Sequence, residues 1–310
     1  MTATPRHRSV LGENSGSLSV FDILQPQPGD AVLDATLGLG GHAEGFLRAT
    51  VPDGRLFGVD ADERNLDVAR KRLEPFGDRC TFIKGNFRDI ASCGLPPLDV
   101  IFADLGVSSP HFDDPERGFT FRDDAPLDMR YDRSKGETAS ELIAKASEED
   151  LKHVFRSYGE LQDAGRLARA VYGTARHAGI ARTADVRKVV ETLFGYKADA
   201  MLPQVFQALR IWTNDELGAL EQFLRDASGM LASGGRIGVI SYHSLEDRMA
   251  KQAFRSLTTV TKDVLTGAPV GPATFELLTK KPVVPSQHEQ SENPRSRSAK
   301  FRAMKRLSRS

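Results

Sequence analysis

A chain of 310 residues can bury a sizeable core, and its 40% hydrophobic and 27% charged content is that of a folded globular protein, which excludes a disordered or low-complexity chain. No run approaches 18 apolar residues and Met1–Glu13 lacks an apolar signal core, so neither a membrane span nor a secretion signal is expected, and the expected location is cytoplasmic. Forty-two basic residues balance 42 acidic ones, so any electrostatic attraction must come from a local patch; Cys80 and Cys93 show no metal-ligand spacing, and no metal is expected.

Val20, Phe21, Ile23 and Leu24 predict a short helix closed by Pro26 and Pro28. Ala31, Val32 and Leu33 then read as a buried strand ending at Asp34. Gly38, Gly40 and Gly41 allow a tight turn, after which Ala43, Phe46, Leu47 and Thr50 mark one face of a helix. Strand, glycine turn and helix together present backbone N–H groups beside a helix N-terminus. A second strand, Arg55 to Val59, ends at Asp60, where an α/β nucleotide fold accepts hydrogen bonds from ribose hydroxyls. An adenosine-bearing cofactor is therefore expected. Gly38-x-Gly40-x-x-Ala43 meets the relaxed dinucleotide fingerprint, which keeps NAD as an alternative. Asp34 favours a cationic cofactor such as S-adenosylmethionine, since a carboxylate there repels a pyrophosphate.

A second helix carries Leu66, Ala69 and Leu73; a third strand, Thr81 to Ile83, ends near Phe87; a fourth, Val100 to Ala103, stops at Asp104. Alternating strands and helices with fully apolar strands predict a mostly parallel sheet covered on both faces. In such sheets ligands lie at the carboxyl ends of the strands, where Asp34, Asp60, Phe87 and Asp104 all fall. From Ser108 to Asp132 the period is lost, yet Phe112, Phe119, Phe121 and Met129 make the stretch too apolar for disorder. Helices are then expected over 138–146, 148–157, 160–177, 183–194 and 203–231. Residues 108–212 read as an inserted, mainly helical domain forming one wall of a substrate cleft, and 1–107 with 213–310 as the discontinuous host. A fifth strand, Ile237 to Ser241, leads into Tyr242 and His243, and Ser244 before Asp247 resembles a capping box opening a helix to about Leu257. A candidate strand at Phe275 to Leu278 is a pairing partner for the alternating Lys300 to Lys305. From Asn293 to Ser310 there are seven Lys or Arg, Arg295 and Arg297 among them, and no acid, the footprint of a phosphate partner. Phe301, Met304 and Leu307 imply that part of this block packs.

Seven segments, in order, carry a family likeness: Asp34-Ala-Thr-Leu-Gly-Leu-Gly-Gly-His42, Asp104-Leu-Gly-Val-Ser-Ser-Pro110, Arg117-Gly-Phe-Thr-Phe121, Leu127-Asp-Met-Arg130, Phe206-Gln-Ala-Leu-Arg-Ile211, His243-Ser-Leu-Glu-Asp-Arg248 and Asn293-Pro-Arg-Ser-Arg-Ser-Ala-Lys300. The chain resembles the bacterial 16S rRNA cytosine-N4 methyltransferases of the RsmH, or MraW, family. The resemblance implies a class I (Rossmann-like) α/β methyltransferase fold, S-adenosylmethionine as donor, and as acceptor a cytidine near the decoding centre of 16S rRNA, met within the small ribosomal subunit. It implies cofactor contacts at Gly40, Gly41, His42, Asp60, Phe87 and Asp104, beside Asp34 and Gly38 of the same turn. His111 stands where the family has a cofactor-contacting glutamine. Ser9 replaces a usual proline, residues 200–204 replace His-Pro-Ala-Thr-Arg, and Leu161 stands where another acid is common. A homodimer is compatible with this reading.

The exocyclic amine of cytosine is a weak nucleophile, so the task is alignment with an electrophilic methyl plus an acceptor for the departing proton. Asp104 is the first candidate acceptor and His243 the second; either could instead be a cap or a contact. His42, at a helix start, is expected to position. Phe119, Phe121 and Tyr242 are candidates to stack a splayed base, and Arg117, Arg130 and Arg210 to reach phosphates beside Arg295 and Arg297. A non-catalytic RNA-binding factor is the remaining alternative.

Overall fold

The computed structural model describes residues 9–12, 18–107, 111–112, 114–259 and 272–308. Ser108 to Pro110 of the second family segment, and Arg309 of the basic block, lie outside the described residues. The chain divides into two compact units, Met1–Gly106 with Gly218–Ser310, and Val107–Leu217.

Unit 1 holds a seven-stranded sheet in the order β3-β2-β1-β4-β5-β7-β6. The strands are β1 (Ala31–Asp34), β2 (Arg55–Asp60), β3 (Cys80–Lys84), β4 (Leu98–Asp104), β5 (Leu231–Ser241), β6 (Phe275–Leu277) and β7 (Lys300–Arg306). The first five run parallel, and β7 inserts antiparallel between β5 and β6, with Ile237 opposite Met304 and Leu277 opposite Met304 on its other side. This is a Rossmann-like arrangement, as the resemblance implies, with the strand order reversing between β1 and β4. The pleat explains why β4 is apolar throughout. Val100 and Phe102 face a layer built from α1 (Val20–Leu24), α2 (Gly41–Ala49) and α3 (Glu63–Leu73), where Phe46, Leu47, Leu66 and Leu73 are buried. Ile101 and Ala103 face the other layer, α9 (Glu216–Met230) and α10 (Ser244–Thr258), with Phe223 and Phe254. The apolar residues of the basic block complete these layers, Phe301 in the first and Met304 in the second.

Unit 2 is helical: α4 (Ala139–Lys145), α5 (Glu148–Ser157), α6 (Ala164–His177), α7 (Thr183–Phe194) and α8 (Ala198–Asn214). Its own core includes Phe155, Leu167, Val171, Val190, Leu202, Phe206 and Leu209. Capping boxes at Thr138/Glu141 and Ser147/Asp150 start α4 and α5 where the sequence places them. Several boundaries differ from expectation: β5 begins at Leu231 and not Ile237, the helix expected from 160 begins at Ala164, and the one expected from 203 begins at Ala198. The helix expected over 203–231 is two, α8 and α9, parted at Asp215, whose backbone is left-handed (φ 47°, ψ 47°). Apolar residues at helical spacing continue on both sides, so periodicity alone shows no break. The cap of α10 is His243 with Glu246, one residue before the Ser244/Asp247 pair. Among the described residues no helix is long and apolar enough to cross a membrane.

Candidate functional site

The carboxyl ends of β1, β2 and β4 meet at the glycine turn. Asp34 closes β1 and is 1% exposed; its Oδ1 accepts from the Thr36 N–H at 3.2 Å. Burial pushes its carboxyl up to about 8 against that one bond, and the charges of Asp104 and Asp60 push in the same direction. Gly38 and Gly40 have φ of 51° and 76°, the left-handed region that glycine tolerates, and Gly40 caps α2. A Cβ at Gly40 would lie 3.4 Å from Ala69 and Leu73 of α3, within ordinary contact, so it is the backbone conformation that calls for glycine there. At Gly41 a Cβ would lie 2.3 Å from the Ser9 hydroxyl. Asp60 ties the turn to β2: Oδ2 accepts from the Gly38 N–H and Oδ1 from the Asp62 N–H, both at 2.8 Å.

His42 occupies the first turn of α2 and is buried. Its Nε2 lies 2.8 Å from the Val10 carbonyl oxygen. A carbonyl can only accept, so Nε2 carries a hydrogen, and Nδ1 is the opposite end of the ring. That end faces Asp104 Oδ2 at 3.7 Å. Asp104, last residue of β4, is anchored by its own N–H, which donates to Thr36 Oγ1 at 2.6 Å. Its Oδ1 accepts from the Tyr242 hydroxyl at 2.8 Å. Burial raises its carboxyl to about 7, the Tyr242 bond opposes the rise, and the Glu246 charge adds to it. Phe87 begins the turn after β3 and packs edge-on against Phe223 at 5.5 Å. Two carboxyls that resist ionisation, a third carboxylate, and a turn opened by glycines suit a ligand bearing positive charge.

The residues after β5 depart from expectation. His243, a candidate proton acceptor, is turned into its own helix cap: Nδ1 accepts from the Glu246 N–H at 3.4 Å, and Nε2 lies 3.2 Å from Glu246 Oε1. Tyr242, a candidate to stack a base, instead gives its hydroxyl to Asp104. Its backbone N–H donates to Glu246 Oε2 at 2.8 Å. Glu246 is buried and has no role assigned from the sequence; its position three residues after His243 is the capping-box spacing that signals it.

Within unit 2, His111 is buried against the rings of Phe119 and Tyr131, at 5.2 and 5.3 Å. Phe119 and Tyr131 are stacked, 5.7 Å apart and 12° from parallel. Arg117, expected to reach phosphates, is 3% exposed, and its Nη2 donates to the carbonyls of Arg130 and Tyr131 at 2.9 and 3.0 Å. Arg117 and Phe119 are thus interior residues of unit 2. Phe121 packs edge-on against Phe206. Arg130 and Arg210 are matched by Asp128 and Glu216. In unit 1 Arg295 and Arg297 are exposed on the turn Pro294–Ser298, while Arg302 and Lys300 pair with Asp247.

The description "MraW methylase family" belongs to a family model that matches residues 5–307. A protein of Sorangium cellulosum named ribosomal RNA small subunit methyltransferase H is 42% identical over 309 residues, 97% of this chain and 91% of that one. Proteins of the same name from Cyanothece sp. and Symbiobacterium thermophilum are 43% and 42% identical, covering 94% and 93% of this chain and 93% and 94% of theirs. Near end-to-end matches of this kind, over both units and every element of the glycine-turn site, show that the chain belongs to the MraW methylase family.

Proposed function

We propose that this protein is an S-adenosylmethionine-dependent rRNA methyltransferase that methylates the exocyclic N4 amine of a cytidine in the decoding region of 16S rRNA. The observation that carries the reading is the meeting of Asp34, Asp60 and Asp104 at the glycine turn, two of them with carboxyls pushed up to about 8 and about 7. A donor with sulfonium and ammonium charges relieves that strain, whereas the pyrophosphate of NAD would add to it. The relatives' shared name, ribosomal RNA small subunit methyltransferase H, supports the RNA substrate; the small ribosomal subunit, met in the cytoplasm, is the setting proposed here. Unit 2 is assigned to RNA recognition, with exposed Arg295 and Arg297 of unit 1 meeting phosphates.

Bound at the turn, the donor would supply an electrophilic methyl group, its sulfonium S–C bond breaking to leave a neutral thioether as the amine nitrogen forms its N–C bond. The chain's own residues do the rest. Gly38, Gly40 and Gly41 let the backbone approach the ligand, and Asp60 receives ribose hydroxyls. Asp34 offsets positive charge, and His42 lines the turn. Asp104 Oδ2 accepts the proton that leaves the amine nitrogen, and a carboxyl near pH 7 is poised for that exchange. His243 stays in its cap.

The test is transfer of labelled methyl from S-adenosylmethionine to 16S rRNA or small subunits, followed by mass spectrometry of the nucleosides. N4-methylcytidine is expected, with Asp104→Asn lowering the rate at least about 100-fold. No incorporation, or label on another atom, overturns the proposal.

A further inference from the structure

We infer that Tyr242 is a positioning residue for Asp104: its hydroxyl holds one carboxylate oxygen so that the other is presented for proton uptake. The inference rests on the reading of Asp104 as the acceptor. The 2.8 Å bond from the Tyr242 hydroxyl to Oδ1 leaves Oδ2 on the side of His42 Nδ1. The bond also stops the carboxylate from exchanging its two oxygens. Tyr242 is itself anchored, because its N–H donates to Glu246 in the first turn of α10. Gly106 (φ 95°) runs beside the ring, and a Cβ there would make ordinary contact with Tyr242 Cδ2 at 3.5 Å.

Four groups bear on the Asp104 carboxyl: Asp34 from β1, His42 from α2, Tyr242 after β5, and Glu246 from α10. Asp34 and Glu246 are anionic when ionised, and His42 presents its Nδ1 to Oδ2 at 3.7 Å. Tyr242 is the one of the four whose hydroxyl donates to the carboxylate and so favours its charged form. The phenol remains a donor throughout the working range, because burial and the neighbouring Asp104 charge hold its own ionisation well above the usual tyrosine value. Tyr242 therefore opposes, at Asp104, the burial and the Glu246 repulsion that raise its carboxyl.

The experiment compares the pH dependence of kcat/KM for methyl transfer in the wild type, Tyr242→Phe and Asp104→Asn. In Tyr242→Phe the acid limb is expected to move up the pH scale by about 1, costing about fivefold at pH 7 and converging on the wild type at high pH. Incorporation of 3-fluorotyrosine at position 242, which keeps the fold and makes the phenol a stronger donor, is expected to move the limb the other way. An unmoved limb in both variants overturns the inference, as does a loss that is uniform across pH, the mark of a packing or base-stacking role. If Asp104→Asn retains transfer, the acceptor reading fails instead, and the two failures are thereby distinguished.

Discussion

Asp34 and Asp104 hold protons in the folded protein at pH values where an unfolded aspartate has released them. The folded state therefore binds more protons than the unfolded one between about pH 4 and pH 8, and stability falls as pH rises through that window. A cationic donor favours the ionised carboxylates, so its thermal stabilisation is expected to grow from pH 6 to pH 8.5. In Asp34→Asn the growth should shrink, and the ligand-free protein should melt higher at pH 8.5; melting curves with and without donor decide both. Two arginines give a second contrast. Arg117→Ala removes a buried side chain and strands two partly buried carbonyls, and is expected to cost about 1–3 kcal/mol in denaturant unfolding. Exposed Arg297→Ala should leave stability within about 0.5 kcal/mol and lower the salt slope of RNA binding by about 1. The charge at Asp34 was legible in the sequence because its place before a glycine turn has electrostatic meaning. The inward turn of Arg117 was not, because its partners are carbonyls 13 and 14 residues away in an aperiodic loop.

At the level of elements, the strands were legible where both faces are buried, since Val100 to Ala103 leave no other reading. The parting of α8 from α9 was hidden, because a single left-handed residue, Asp215, interrupts no pattern. Close approach within the sheet is likewise invisible until strands are paired. A Cβ at Gly238 of β5 would lie 2.6 Å from the ring of Phe301, which is fully buried on β7. Gly238→Ala is therefore expected to cost about 1–3 kcal/mol. Gly173, inside α6, has no atom within 4 Å of an added Cβ, and Gly173→Ala should gain about 0.5–1 kcal/mol. Paired chemical denaturation checks both signs.

At the level of the molecule, each unit has its own hydrophobic core. Two unfolding transitions are expected in calorimetry, with the donor raising only the one that belongs to unit 1; a single transition that shifts as a whole would contradict this. The same division has a consequence during translation. β4 ends at Asp104, and β5, its neighbour in the sheet, begins only at Leu231. At about 5–20 residues per second the ribosome takes on the order of ten seconds to deliver it. Throughout that interval β4, paired on one side with β1, leaves its other edge open along Val100, Ile101, Phe102 and Ala103, the kind of edge that recruits other strands. Unit 2 can fold from its local contacts meanwhile, but β4 must wait, so the yield of native enzyme should depend on chaperones and fall when elongation is slowed.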